Sequence, residues 1–109
     1  MANIRKMIVF GTELFTIDKR EISTNTTINN VITDARLLIT EDDVTVTLDV
    51  VGNTDGAKVE IFTSVYSVTI IYTDAGGTKT LSLTPNSCAS FIANNDVWIY
   101  SGIFGAVWN

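Results

Sequence analysis

The sequence contains no histidine, one cysteine and one proline. Without imidazole, neither a Ser-His-Asp nor a Cys-His catalytic group can be assembled. Within one chain, zinc sites with histidine ligands and zinc sites made of cysteines alone are both excluded. Cys88 has no second cysteine to pair with, so a disulfide framework within the chain is excluded too. Charge is also scarce: 17% of residues are Asp, Glu, Lys or Arg, against a typical ~25%. Seven basic and twelve acidic residues leave a net charge of −5. That argues against a nucleic-acid binder, which carries a basic patch or stripe. Long apolar runs are missing. Four apolar residues follow Arg5-Lys6 before Gly11, whereas a secretory core needs about 7–15. Nothing approaches the ~18 apolar residues of a membrane-spanning helix. The expectation is a protein made in a cytoplasm, not exported and without a membrane partner. A chain of 109 residues is one domain at most. It buries only about two-thirds of the surface its unfolded form exposes. With 46% hydrophobic residues, some surface is expected to be hidden against other copies or a partner.

What is abundant is β-branched. Thr, Ile and Val supply 16, 13 and 11 residues, and such side chains favour the pleated strand over the helix. No segment sustains the helical apolar spacing. The chain therefore reads as all-β: a single small antiparallel β-sandwich or barrel, jelly-roll-like, of about 8–10 short strands. Leu37 and Ile39 alternate with Leu38 and Thr40. Val44, Val46, Leu48 and Val50 point one way, and Thr45, Thr47 and Asp49 the other. Val59 and Ile61 lie opposite Lys58, Glu60 and Phe62; Tyr66, Val68, Ile70 and Tyr72 share a face; Leu81 and Leu83 point inward. Asn53-Thr54-Asp55-Gly56, Asp74-Ala75-Gly76-Gly77, Pro85-Asn86 and Asn94-Asn95-Asp96 are turns between them. The apolar pairs Val50-Val51 and Ile70-Ile71 imply cover on both faces of their strands.

The charge is unevenly spread. Residues 1–20 hold four bases and two acids, while the rest holds three bases and ten acids. Residues 1–34 are expected to form an N-terminal arm or hairpin, with strand candidates at residues 6–10 and 13–17. Residues 35–109 form the sandwich body. Two readings of the arm stand: a solvated hairpin, or a segment that docks on an acidic neighbour through Arg5, Lys6, Lys19 and Arg20. Residues 21–30 read as loop or edge strand, and the glycosylation-type triplet Asn25-Thr26-Thr27 carries no weight without a secretory leader. The tail differs again. Residues 80–109 carry one charge, Asp96, and end in Trp98, Tyr100, Phe104 and Trp108. Contiguous exposed apolar surface usually marks an interface. Either this tail is the last core strand, or Trp98, Tyr100, Ile103, Phe104, Val107 and Trp108 form a subunit interface.

Conventional chemistry is thin. Glu41-Asp42-Asp43 lacks the spaced loop that would give a calcium ion its about six to eight oxygen ligands. It reads as a solvated turn, and no metal or other cofactor is expected. Asp49 and Glu60 lie on neighbouring strand candidates and could face one another as a glycosidase pair would, but the polar faces of the strands explain both. Gly76-Gly77 lacks the flanking pattern of a phosphate cradle. Cys88, among small residues, reads as a buried structural thiol. Trp98, Tyr100 and Trp108 could form a stacking platform for a sugar, though core packing is the commoner use. No catalytic residue is assigned.

The order of strand types in residues 44–102 resembles the small β-structured modules of tailed-bacteriophage virion proteins, found in fibres, spikes and head-decoration proteins. Residues 44–48, 56–62, 68–72, 81–83 and 91–100 fill the successive strand positions of that pattern. Phe62-Thr63-Ser64 departs from it by lacking an acidic residue, and the segment before residue 35 does not match. The resemblance implies a non-enzymatic virion structural protein and a homotrimer packed about a threefold axis. A free-standing subunit of this size suits a capsid-decorating (cement) module that stabilises the head by bridging capsid subunits. Its partners would be its own copies and the major capsid protein or another virion protein, with no nucleic acid. The alternative is a fibre-tip adhesin module that binds a receptor or glycan.

Overall fold

The computed structural model describes residues 18–105, the last three as backbone only. The strand candidates at residues 6–10 and 13–17 lie outside these. Nine strands follow one another among the described residues: β1 (Asp18–Ile22), β2 (Thr26–Ile28), β3 (Ala35–Ile39), β4 (Val44–Leu48), β5 (Lys58–Thr63), β6 (Val68–Asp74), β7 (Gly77–Leu83), β8 (Ser87–Asn94) and β9 (Val97–Gly105). The fold is all-β, as composition requires. Two mixed sheets pack as a small sandwich, in the orders β1-β3-β5-β8-β9 and β2-β4-β6-β7.

The antiparallel, jelly-roll-like topology is corrected by the strand pairing. Strands β1, β3 and β5 are parallel, and so are β2, β4 and β6. The chain places successive strands in alternate sheets and so winds as a flattened coil. Each return to a sheet runs in the same direction, because the strand in the other sheet serves as the crossover that parallel pairing needs. The later pairs share one offset: Ala35 lies beside Val59, and Val44 beside Val68, each 24 residues on, whereas Asp18 lies beside Ala35 and Thr26 beside Val46 at shorter offsets. The last three strands pair antiparallel instead: β7 with β6, β8 with β5 and β9 with β8. The β6–β7 and β8–β9 hairpins close the coil with antiparallel pairs.

Alternation along each strand puts one set of side chains between the sheets. Ile28, Leu37, Val46, Val59, Ile61, Ile70, Phe91 and Trp98 are completely buried. Leu38, next to Leu37, is 44% exposed. The Val50-Val51 pair does not lie in a covered strand: it follows β4, and Val51 is 57% exposed in a turn. Ile71 is half-buried on the outer face, so the apolar pairs do not signal sheets covered on both sides.

The segment expected as an arm already belongs to the body from Asp18 onward. Among the described residues, strands β1, β2, β7 and β9 are the edge strands of the two sheets, and Ile22, Ile28 and Val31 are core residues. Short polar side chains in the turns tie each coil to the next. Asn25 Oδ1 accepts the Thr45 N–H (2.9 Å), Asp34 Oδ1 that of Lys58 (3.1 Å), and Asp42 Oδ1 that of Ser67 (2.9 Å). Among the described residues, all five non-glycine residues with positive φ are Asn or Asp, the types that tolerate that region. Asn95 and Asp96 (φ 51° and 63°) make the two-residue turn whose twist suits a hairpin.

Candidate functional site

The structure separates the residues singled out by the sequence. Arg5, Lys6, Val107 and Trp108 lie outside the described residues. Ile103 and Phe104 sit on β9 opposite Ala89 and Cys88, and their side chains also lie outside the description. Lys19 and Arg20 are exposed on β1. Arg20 pairs with Asp18 on its own strand, Nη2 to Oδ2 at 2.8 Å. Lys19 lies beside Arg36, whose Nε bonds Glu60 Oε1 at 3.2 Å. With Leu38 and Phe62 these side chains line a groove of about 500 Å³ along β1, β3 and β5. Its floor is apolar and its charged rim carries Lys19, Arg20 and Arg36 against Glu21.

Trp98 is corrected from interface candidate to core. It has no exposed surface, and its indole N–H donates to the Asp49 carbonyl at 2.9 Å. The inward side of β9 leaves it no face to offer a second copy. The same burial removes it from a sugar-stacking platform. Tyr100 is different: it is 36% exposed, with Phe91 and Tyr72 packed behind it at centroid distances of 5.5 and 6.3 Å. Burial, then the neighbouring Tyr72, holds its phenol above the ordinary range, so it stays a hydroxyl near neutral pH.

Tyr100 borders a second groove, of about 490 Å³, with Asp74, Gly76, Lys79 and Asn94. Alternation explains the convergence. Tyr72 and Asp74 share the inward face of β6 with buried Ile70, and Lys79 is directly opposite Tyr72 on β7. Lys79 Nζ donates to Asp74 Oδ1 and Oδ2, both at 2.9 Å, and the Gly76 N–H donates to Oδ1 at 2.8 Å. The Lys79 hydrogen bond, then the Gly76 N–H, holds the Asp74 carboxyl below its ordinary value. Among the described residues the Asn94 amide makes no side-chain hydrogen bond, so its donors and acceptor face the groove or solvent. Sequence reasoning read Asp74 as a turn residue only. The available signal was the pair of opposite charges flanking Ala75-Gly76-Gly77, which a tight hairpin brings opposite one another.

The remaining candidates are not assembled into chemistry. Glu60 lies on the outer side of the five-stranded sheet, whereas Asp49 follows β4 in the other sheet. The two carboxylates do not face each other. Glu41, Asp42 and Asp43 form an exposed turn, as expected, in which Asp42 Oδ1 accepts the Ser67 N–H. Cys88 is buried, and burial, then the Glu60 charge, pushes its thiol up. Comparison with protein-family models, with curated proteins and with solved structures finds no match to this chain.

Proposed function

We propose that this protein is a non-enzymatic structural module of a tailed-phage virion, which assembles as a homotrimer and decorates the capsid by bridging its subunits. The observation that carries self-association is the contrast among sheet edges. Edge strand β1 (DKREI) is charged, β2 is three residues long, and β7 carries Lys79. These are the usual devices that keep an edge from pairing with another chain. Edge strand β9 is long and uncharged: nine residues, VWIYSGIFG, broken by one bulge at Ser101, and with Ile99 46% exposed. The virion setting rests on the strand pattern of residues 44–102. The groove holding Lys19, Arg20, Leu38 and Phe62 supports a docking side distinct from β9. Light scattering should give the mass of three chains, and the protein should co-sediment with phage capsids. A monodisperse monomer at micromolar concentration with no affinity for capsids would sink this reading.

A second reading, a fibre-tip module that binds a glycan, is favoured by one observation. An exposed tyrosine ring, an ion pair and an unengaged amide share one groove at the β6–β7 and β8–β9 turns. Retention of bacterial cells on the immobilised protein, with no co-sedimentation with capsids, is the result that would choose it.

A further inference from the structure

We propose that the groove bounded by Tyr100, Asp74, Lys79 and Asn94 is a carbohydrate site that takes one neutral pyranose unit of an oligosaccharide. This rests on the second reading above and names its ligand class. A pyranose presents two chemistries at once. Its ring has an apolar face of C–H groups, which stacks on an aromatic side chain. Its rim carries hydroxyls that each donate and accept, so it needs a mixed set of partners.

The groove supplies both. Tyr100 is the open ring, held from behind by Phe91 and Tyr72, which themselves lie 4.9 Å apart. Its orientation is therefore set before a ligand arrives, which lowers the ordering cost of binding. Lys79 provides ammonium donors, Asp74 provides carboxylate oxygens with lone pairs left over, and Asn94 provides both kinds. Asp74 is ionised and Lys79 is charged, so the pair is neutral as a unit and favours neither anionic nor cationic sugars. The groove, about 490 Å³, is open to solvent, so one ring can lie on Tyr100 while the rest of an oligosaccharide extends away.

A simpler explanation covers only part of this. An inward-facing ion pair at a sheet edge protects that edge, and Asp18–Arg20 does the same on β1. Edge protection accounts for Asp74–Lys79. It does not account for Tyr100, which is left partly open while Trp98, two residues earlier on the same side of β9, is wholly buried.

The test is a titration of the intact chain by NMR with neutral methyl glycosides of glucose, galactose, mannose and N-acetylglucosamine, and with their disaccharides. At least one should shift the amides of Asp74, Gly76, Asn94 and Tyr100 at millimolar concentration. Tyr100→Ala should weaken that glycoside about tenfold or more, the loss expected for a removed stacking surface. Tyr100→Phe should stay within about threefold of the parent, because the ring is kept. Asn94→Ala, at the exposed end of β8, should weaken binding without altering the fold, so the site remains testable if Tyr100→Ala does not fold. The proposal is overturned if no glycoside shifts these amides, or if binding persists unchanged in Asn94→Ala or in a folded Tyr100→Ala. Cell adhesion that persists in either of those cases keeps the adhesin reading and removes only this site. Loss of both removes the reading as well.

Discussion

The Trp98 indole N–H donates to the Asp49 carbonyl oxygen at 2.9 Å, and this bond joins β9 of one sheet to the end of β4 in the other. The same carbonyl accepts the Asn53 side-chain N–H at 2.8 Å, and Asn53 Oδ1 accepts the Val31 N–H at 2.9 Å. One indole thus secures the last strand to the turn that organises the middle of the coil. Trp98→Phe should destabilise by about 1–3 kcal/mol, because ring area shrinks and the part-buried Asp49 carbonyl loses one of its two donors. Trp98→Ala should cost about 3–5 kcal/mol. Urea unfolding followed by circular dichroism measures both, and a Trp98→Phe protein as stable as the parent would show that the bond contributes nothing.

Gly52 has φ +74°, and a side chain placed there would meet Asn30 Oδ1. Asn30 itself is at φ 52° and donates its backbone N–H to the Val51 carbonyl. Gly52→Ala must therefore adopt a left-handed backbone and displace that amide. A loss of about 1–2 kcal/mol is expected. Gly56→Ala, also at positive φ but with open space around it, should lose less, and thermal melts of the two variants decide the order.

Cys88 should react slowly. Its thiol is buried and pushed up, first by desolvation and then by Glu60, and only the thiolate is a good nucleophile. Alkylation by iodoacetamide should be far slower in the native protein than in urea, and it should accelerate only above the pH at which a free cysteine titrates. The raised value also means that stability from this group is present below the unfolded pKa and is lost as pH rises through the folded one.

For Asp74 the sign is opposite. Its carboxyl is held below 3.8, first by Lys79 and then by the Gly76 N–H. Its stabilisation is present above the unfolded value and is lost as pH falls through the folded one. Asp74→Asn should therefore melt below the parent near neutral pH, with the difference shrinking under acid. A difference in Tm that is constant from neutral pH into the acid range would contradict this.

If β9 is the self-association edge, Ile99→Lys should disperse the assembly. Ile99 is 46% exposed, so the protomer itself should change by no more than about 0.5 kcal/mol. A lysine on an edge strand opposes further pairing. Analytical ultracentrifugation compares the two proteins, and an unchanged oligomer would place the contact elsewhere.

Much of the fold was legible. Val44-Thr45-Val46-Thr47-Leu48 alternates so regularly that its buried face follows from the letters, and the structure buries Val44, Val46 and Leu48. The turn expected at Asn94-Asn95-Asp96 was equally plain, and the structure narrows it to Asn95-Asp96, with Asn94 ending β8. What alternation does not encode is the partner of a strand. A sequence of period two reads the same whether its neighbour runs up or down. The 24-residue offset that aligns β3 with β5 and β4 with β6 was present in the sequence, but strand-to-strand variation masked it: Leu48 is matched by Tyr72, and Thr47 by Ile71. Trp98 misled for a related reason. Its neighbours Ile99 and Tyr100 are partly exposed, and only the packing of β9 against the other sheet shows which of the three is core.

By itself, the sequence determined the absence of imidazole chemistry, the all-β class and the inner face of most strands. Those follow from side-chain type and from the alternation of Cβ directions, both local. Tertiary structure decided the parallel coil, the interior place of Trp98 and the meeting of Asp74, Lys79, Asn94 and Tyr100. Each of these depends on segments distant in the chain coming side by side. That choice is made by packing two apolar faces together and satisfying turn carbonyls and amides across coils, and no single segment carries it.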